Sequence, residues 1–261
     1  MKLLNRQPKN KSIIPAVNYH LWEPCNYKCH FCFATFQDVK KDMNLPKGHL
    51  PEIESISVVD EMAGIGFEKI NFAGGEPTLC PWLPNLIIRA KKHGMVTSIV
   101  TNGSKITKQW LDGLDGSLDW IGLSIDTVDP EKLKRLGRAR AGKFPMSEDN
   151  YLDVVEVIKQ YKIRLKINTV VTSVTWDEDF TSFIKHAEPE RWKLFQVLPI
   201  EGQNDQHIDD FTISHKQYND YVVLSQVIID GYSRFSFIRA SSVVNLQLVL
   251  VCFSFLLFCH A

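Results

Sequence analysis

Residues 25–33 read CNYKCHFCF and place three cysteines in the spacing C-x3-C-x2-C. Zinc sites usually take four ligands from two separate pairs, and His30, a candidate fourth ligand, lies inside the tight loop itself. A disulfide is disfavoured because three thiols leave one over. Three thiolates on one compact loop suit three corners of a cubane iron–sulfur cluster, whose fourth iron stays open to a substrate or cofactor. We therefore predict a 4Fe–4S cluster at Cys25, Cys29 and Cys32, with zinc as the alternative.

Strand-like and helix-like segments alternate on both sides of this loop. The predicted strands cover residues 16–21, 69–73, 96–101, 120–125, 164–171 and 192–198, and the predicted helices cover residues 51–65, 82–93, 105–111, 131–136, 147–161 and 177–186. Successive βα units imply parallel pairing with right-handed crossovers. Six units are too few for an eight-fold barrel, so we predict an α/β fold, a partial (β/α)6 barrel of parallel strands with outer helices. In such folds the site lies at the C-terminal ends of the strands.

Composition excludes several classes of protein. The chain of 261 residues balances 30 basic side chains against 30 acidic ones. A dedicated nucleic-acid binder needs a net basic surface, so we expect no direct binding to nucleic acid. A hydrophobic fraction of 44% and a charged fraction of 23% exclude a disordered or fibrous chain. Six cysteines are too few for a disulfide scaffold of this length, which favours a cytoplasmic protein.

The two ends of the chain differ in character from its centre. We expect a short polar tail over residues 1–14, the barrel over residues 15–228, and an atypical hydrophobic tail over residues 229–261. Within that last tail, residues 243–261 are almost uncharged and nearly long enough to cross a bilayer. A membrane anchor and a buried terminal segment are two interpretations of it. We favour a third, that the tail does not belong to the domain.

Polar and basic side chains recur on one face of several predicted strands. Successive strand residues alternate between faces, and the apolar faces should pack on the helices, so the polar faces should point inward. The inward-facing residues are Asn18, His20, Lys69, Asn71, Arg164, Lys166, Asn168, Arg191 and Lys193. Cations inside a barrel are costly unless an anion neutralises them, and a triphosphate fits that need. The alternative is that individual charges lie at strand ends in solvent.

Two motifs resemble those of the radical S-adenosylmethionine (SAM) superfamily. The aromatic residue Phe31 precedes the third cysteine, and the sequence GGEP at residues 74–77 follows the second predicted strand. Three longer segments are more specific: NYHLWEPCNYKCHFCF (residues 18–33), EKINFAGGEPTL (residues 68–79) and RWKLFQVLPIEG (residues 191–202). Together they resemble the viperin family of antiviral radical SAM enzymes, over about residues 17–227.

The resemblance implies the cofactors and the residues that bind them. Cys25, Cys29 and Cys32 would hold a 4Fe–4S cluster, whose open iron chelates SAM and whose electron cleaves it to a 5′-deoxyadenosyl radical. The residues implied for SAM binding are Phe31, Gly74, Gly75, Glu76, Pro77, Asn102, Ser124 and Arg138. The residues implied for nucleotide binding are Asn18, Lys69, Asn71, Lys166, Asn168, Arg191 and Lys193.

The resemblance also implies a reaction and partners. Viperin-family enzymes dehydrate CTP, a ribonucleoside triphosphate, to 3′-deoxy-3′,4′-didehydro-CTP, a chain terminator for viral polymerases. We therefore expect a nucleotide-modifying lyase of antiviral innate immunity, served by an electron donor and by iron–sulfur assembly factors. Family members reach the cytosolic face of the endoplasmic reticulum or lipid droplets through an N-terminal amphipathic helix. The resemblance thus leaves membrane association open, although only about a dozen basic and polar residues precede the core here in place of that helix.

Two other functions stay open at the level of sequence. A radical SAM enzyme acting on peptide or cofactor precursors often carries cysteines for auxiliary clusters, but Cys80, Cys252 and Cys259 form no second motif. The other alternative is a catalytically weak, truncated form that acts as a binding or scaffold protein. It follows from the end of the resemblance near Val227, because the longer C-terminal portion of the family helps to close the nucleotide site.

Overall fold

The computed structural model describes residues 16–35, 48–229 and 238–240 and centres on one parallel sheet. Each strand pairs in parallel with the next along the chain. The strands are β1 (Ala16–Trp22), β2 (Lys69–Gly74), β3 (Val96–Thr101), β4 (Trp120–Ser124), β5 (Arg164–Val171), β6 (Arg191–Gln196) and β7 (Ile238–Ala240). This order is that of a partial α/β barrel, and the predicted fold class is confirmed. We call the interior enclosed by β1 to β6 the lumen.

Helices connect the strands and cover the outer face of the sheet. They are α1 (Glu52–Ile65), α2 (Leu83–Lys92), α3 (Lys108–Asp112), α4 (Pro130–Arg135), α5 (Glu148–Gln160), α6 (Thr181–Ala187) and α7 (His215–Ile229). Local chemistry explains where they begin and end. The Ser147 hydroxyl accepts the Asn150 N–H in a capping box before α5, and Gly66 ends α1 in the left-handed region that suits glycine.

Alternation along the strands separates apolar from polar side chains. Ile70 and Phe72 of β2 and Leu165 and Ile167 of β5 are all buried in the hydrophobic core under the helices. Complete burial of a side chain of this size contributes roughly 1.5–3 kcal/mol to stability. The residues between them in sequence therefore face the lumen, as the pattern predicts.

The predicted strands agree with the observed ones to within two residues, but four other elements differ. Helix α7 was not predicted, and the helix predicted over residues 105–111 begins only at Lys108. The helix predicted over residues 177–186 begins only at Thr181, where the Asp179 carboxylate accepts the Thr181 N–H at 2.9 Å. A seventh strand, β7, adds three residues to the edge of β6, with Ile238 opposite Lys193. Three residues are too short for an alternating pattern, which is why the sequence predicts only six strands.

The two ends of the chain differ in sequence character from the barrel. Residues 1–14 and the apolar run over residues 243–261 lie outside the described residues. Strand β7 lies beyond residue 228, so the division of the chain at that point stays a prediction. Within the ranges that the structure describes, no helix combines the length and the apolar content needed to cross a bilayer.

Candidate active site

The cysteine loop follows β1 directly and is held by a distant part of the chain. The Lys28 N–H donates to the Gly137 carbonyl at 3.2 Å, and the His30 N–H donates to the Leu136 carbonyl at 3.0 Å. Gly137 has a φ of +67°, and an added Cβ would lie 2.0 Å from the Lys28 carbonyl oxygen. Only glycine allows this approach, so the segment after α4 fixes the shape of the loop.

The three thiols of the loop are free and lie close enough to influence one another. Burial raises the pKa of Cys29 to about 12, an effect that Arg138 opposes and Cys32 reinforces. Burial is also the main cause of the raised pKa of Cys25 and of Cys32. The thiols therefore stay protonated near neutral pH unless a positive centre binds their thiolates.

The cysteines fit an iron–sulfur cluster better than a zinc ion. In the described parts of the chain, no three or more His, Cys, Asp or Glu side chains converge on a single ion. Zinc needs four ligands within about 2.3 Å of one metal, whereas the cysteines around a cubane bind different irons. His30 is exposed and stacks on Phe211, with ring centroids 5.9 Å apart. The geometry thus favours Cys25, Cys29 and Cys32 as the ligands of a 4Fe–4S cluster.

The Gly74–Gly75 turn at the end of β2 packs against the segment that leads into the cysteine loop. The Gly75 N–H donates to the Trp22 carbonyl at 2.6 Å. A Cβ on Gly74 would lie 2.3 Å from the Trp22 carbonyl oxygen, and one on Gly75 would lie 2.1 Å from the Glu23 carbonyl oxygen. Both positions need glycine, and the turn thereby sets the position of the loop relative to the sheet.

Glu76, the third residue of the motif, is buried and its carboxylate is engaged inside the protein. Its Oε1 accepts the Thr101 hydroxyl at 2.7 Å and the Thr78 N–H at 3.0 Å, and its Oε2 accepts the Asn102 N–H at 2.8 Å. Burial raises the pKa of this carboxyl, while these hydrogen bonds oppose the rise. Glu76 therefore holds the ends of β2 and β3 together, and Pro77 begins the 3-10 turn that follows.

Asn102 connects the end of β3 to the cysteine loop. Its Nδ2 donates to the Asn26 Oδ1 at 2.9 Å, and its Oδ1 accepts the Ser104 N–H at 3.0 Å. The Asn26 Nδ2 donates in turn to the Ser104 hydroxyl at 2.9 Å. The amide predicted to contact SAM thus lies beside the loop that would carry the cluster.

Arg138 is buried and pairs with Asp126, a residue that sequence reasoning missed. Its Nε and Nη2 both lie 2.6 Å from the Asp126 Oδ2, and its guanidinium carbon lies 5.4 Å from the Phe31 ring centroid. Burial opposes the charge of Arg138, but Asp126 holds the pKa of the guanidinium above its ordinary value. The other N–H groups of Arg138 are suited to a ligand carboxylate. The position of Asp126 just after the C-terminal end of β4 was the available signal.

Amide side chains line the middle of the lumen. The Asn71 Nδ2 donates to the Asn18 Oδ1 at 3.0 Å, so β1 and β2 present these residues on one face, as predicted. Asn168 of β5 lies opposite Ser124 of β4 in register. An added Cβ on Gly122 would lie 3.1 Å from the Asn168 Nδ2, so the glycine keeps this part of the lumen open.

Lys69, Lys166, Arg191 and Lys193, here called the basic cluster, come together nearer the N-terminal ends of the strands. Lys166 lies opposite Arg191 in register and is only 7% exposed. Burial, followed by the charges of Lys69, Lys193 and Arg191, lowers the pKa of Lys166 to about 6. Burial is also the main cause of the lowered pKa of Lys193. Among the described residues, no carboxylate forms a salt bridge with any of the four, so an anion could bind the basic cluster without first displacing one.

Two further lumen residues were missed as site residues. Trp120 is buried at the start of β4, and the guanidinium carbon of Arg164 lies 3.8 Å from the centroid of its ring. Ser98 of β3, opposite Trp120 in register, has a buried hydroxyl without a hydrogen-bond partner in the described structure. Strand alternation was the available signal for both, because Ser98 and Trp120 share the inward face with Asn71 and Arg164.

A cysteine loop after the first strand, a glycine turn after the second and a partial parallel barrel define a class of enzyme. The model of the Radical SAM superfamily matches residues 21–187, and the chain belongs to that superfamily. Solved structures agree in fold. Native anSMEcpe with bound AdoMet is 22% identical, with a TM-score of 0.61 over 83% of this chain and 59% of its own. Streptococcus suis SuiB is 18% identical, with a TM-score of 0.63 over 86% and 49%.

Curated relatives narrow the class, and each is named an S-adenosylmethionine-dependent nucleotide dehydratase. The relative from Lacinutrix mariniflava is 54% identical over 211 residues, 81% of this chain and 44% of its own length. The relative from Flammeovirga pacifica is 50% identical over 84% of this chain and 75% of its own, and RSAD2 of Oncorhynchus mykiss is 34% identical over 85% and 64%. The chain belongs to this family of nucleotide dehydratases. It spans less than half of the Lacinutrix protein and three quarters of the Flammeovirga protein.

Proposed function

We propose that this protein is a radical SAM lyase that dehydrates a ribonucleoside triphosphate, with CTP as substrate and 3′-deoxy-3′,4′-didehydro-CTP as product. The names of its relatives give nucleotide dehydration as the activity of those proteins. The observation that carries the proposal to this chain is the basic cluster. The four clustered basic side chains, of which Lys166 is buried, lack a carboxylate partner among the described residues and call for a polyanion, and a triphosphate is one.

The two ends of the lumen would bind different ligands. When bound, the cluster supplies the electron that cleaves SAM and starts the radical chemistry. At that end, the free N–H groups of Arg138 would hold the SAM carboxylate through parallel hydrogen bonds. At the other end, the basic cluster would hold the triphosphate. A rise of about 3.3 Å per residue separates Ser124 from Trp120 by about 13 Å along β4, a span suited to an extended nucleotide.

Positioning is the main contribution that the chain's residues make between these ends. Asn71 and Asn168 carry amides that can bind ribose hydroxyls, and Gly122 leaves the space beside them open. Fixing the ribose against the SAM end favours hydrogen abstraction from one carbon. One electron from the external donor and one proton then let the 3′ hydroxyl leave as water. A nucleotide without that hydroxyl would terminate RNA chains, which gives the proposed antiviral role.

The same proposal includes partners and a compartment. An external electron donor and iron–sulfur assembly factors would be needed, because the cluster has to be built and then reduced. We place the protein in the cytoplasm because free cysteine ligands require a reducing compartment.

Reconstitution of the full chain tests the proposal. We would load the protein anaerobically with iron and sulfide, add SAM and a reductant, and offer each ribonucleoside triphosphate separately. We expect 5′-deoxyadenosine to form only with a nucleotide, together with a product lighter than that nucleotide by one water. Equal 5′-deoxyadenosine with and without nucleotide would refute the proposal.

Cysteine variants separate the enzyme from a scaffold protein. Cys29→Ala should lose the cluster absorbance and the activity together. Cys80→Ala is the matched control, because Cys80 is buried in the core away from the loop, and it should keep both. Antiviral activity that survives Cys29→Ala in cells would support the scaffold alternative instead.

A further inference from the structure

Trp120 lies at the centre of the positive charge in the lumen. Four basic groups lie around the centroid of its ring: Arg164, which also pairs with the Glu190 carboxylate, at 3.8 Å, Lys166 at 4.3 Å, Arg191 at 5.1 Å and Lys69 at 5.6 Å. An aromatic face carries negative electrostatic potential and attracts cations at these distances. The ring therefore holds together side chains that would otherwise repel one another.

The same ring closes the lumen at the N-terminal ends of the strands. Trp120 is only 4% exposed. It also lines an outer cavity of about 320 Å³, together with Leu111, Leu118 and Tyr161. The next lumen-facing residue of β4 is Gly122, which has no side chain. The indole thus separates the lumen from the outer cavity, and we call it the floor of the lumen.

We infer that Trp120 is a positioning and specificity-determining residue that sets the depth of the nucleotide site and selects triphosphates over shorter phosphates. The inference rests on the proposed function and deepens it. A nucleotide anchored at the SAM end reaches the floor only through its terminal phosphate. The cations held around the ring would therefore add affinity for a triphosphate and little for a monophosphate.

Equilibrium binding to the full, cluster-loaded chain tests this inference without using turnover. We would measure dissociation constants by calorimetry for cytidine mono-, di- and triphosphate and for inorganic triphosphate. In Trp120→Leu we expect triphosphate binding to weaken about tenfold, which is about 1.4 kcal/mol, and monophosphate binding to change less than twofold. Trp120→Phe keeps a smaller aromatic face and should lose about threefold for the triphosphate.

Three controls keep the result interpretable. SAM affinity and cluster absorbance should stay unchanged in both variants, which shows that the other end of the lumen is intact. Trp110→Leu removes a tryptophan that packs against the core outside the lumen, and it should leave every nucleotide affinity unchanged. Trp120→Phe decides the question if Trp120→Leu does not fold.

The outcomes separate the two claims. A wild-type protein that binds SAM but no nucleotide would refute the proposed function, and the inference with it. A wild-type protein that prefers the triphosphate, with the same preference in both Trp120 variants, would refute the inference alone. Equal loss of affinity for all three nucleotides would show that Trp120 supports the fold and does not select for the length of the phosphate chain.

Discussion

Triphosphate binding should take up close to one proton, because Lys166 is mostly neutral in the free protein. Burial, with Lys69, Lys193 and Arg191 next in effect, lowers the pKa of Lys166 to about 6. At about pH 7.5 the neutral amine then outnumbers the ammonium by roughly 30 to 1. A triphosphate beside the amine supplies the missing opposite charge and moves the pKa back towards its ordinary value of about 10.4.

Linkage sets the sign and the size of the effect. Binding needs a proton that the free protein lacks, so affinity should fall about tenfold per pH unit between about pH 7 and pH 9. The stability of the ligand-free protein should instead increase as the pH rises. Because the pKa of Lys166 is lower in the folded state than in the unfolded state, the free energy of unfolding rises with pH from about 6 towards 10.

Calorimetry in two buffers of different ionisation enthalpy measures the proton directly. The observed binding enthalpy should differ between the buffers by nearly the full difference in their ionisation enthalpies. Lys166→Arg keeps the site charged at every pH and should remove most of the uptake, leaving the smaller share due to the lowered pKa of Lys193. Lys134→Arg is the control, since Lys134 is exposed and paired with Glu131. Equal enthalpies in both buffers, with affinity independent of pH, would refute the reasoning.

Two substitutions at the cysteine end should change stability and cluster content. Gly75→Ala places a Cβ 2.1 Å from the Glu23 carbonyl oxygen; we expect a loss of about 1–3 kcal/mol in urea unfolding and poor cluster incorporation by absorbance. Asp126→Asn leaves the buried charge of Arg138 without its partner, and we expect the free energy of unfolding to fall by about 3–5 kcal/mol in the same assay.

Matched controls exist for both substitutions. Gly64→Ala lies in α1 with no atom within 4 Å of the added Cβ, and it should raise stability by up to about 1 kcal/mol. Asp60→Asn breaks an exposed ion pair with Arg89 and should cost about 1 kcal/mol or less. If Gly75→Ala changed stability as Gly64→Ala does, the close packing at the GGEP turn would not limit stability. Equal losses of unfolding free energy in Asp60→Asn and Asp126→Asn would contradict a special role for the buried ion pair.

Local patterns in the sequence were sufficient to predict the strands and the inward face of the lumen. Alternation along a strand is a property of a few consecutive residues, and it correctly placed Asn18 beside Asn71. It also brought Lys166 and Arg191 to the same face. The cysteine spacing and the GGEP turn are equally local, since each depends on the conformation of a single loop.

Contacts between distant segments could not be predicted in the same way. Arg138 was expected to face a ligand, yet Asp126 takes two of its N–H groups because the segment after α4 folds back onto the end of β4. Glu76 stays a predicted SAM-site residue, and the contacts of its carboxylate with β3, which connect β2 to β3, were not predicted. Trp120 is neither charged nor a metal ligand, so a search for charged and metal-binding residues passes over it.

The two ends of the lumen differ in how their charges are balanced, and this difference suggests an order of assembly. At the cysteine end, Arg138 has Asp126 and Glu76 has backbone and hydroxyl donors, so the protein alone satisfies the buried charges. At the other end, Lys69, Lys166 and Arg191 lie over the face of Trp120, and no carboxylate among the described residues pairs with the basic cluster. The charges of Arg138 and Glu76 are therefore compensated without a ligand, whereas those of the basic cluster are compensated only when an anion binds. An anion that binds only the folded state stabilises it by about 2.7 kcal/mol at a hundred times its dissociation constant. A bound nucleotide would therefore add to the stability of this end of the lumen.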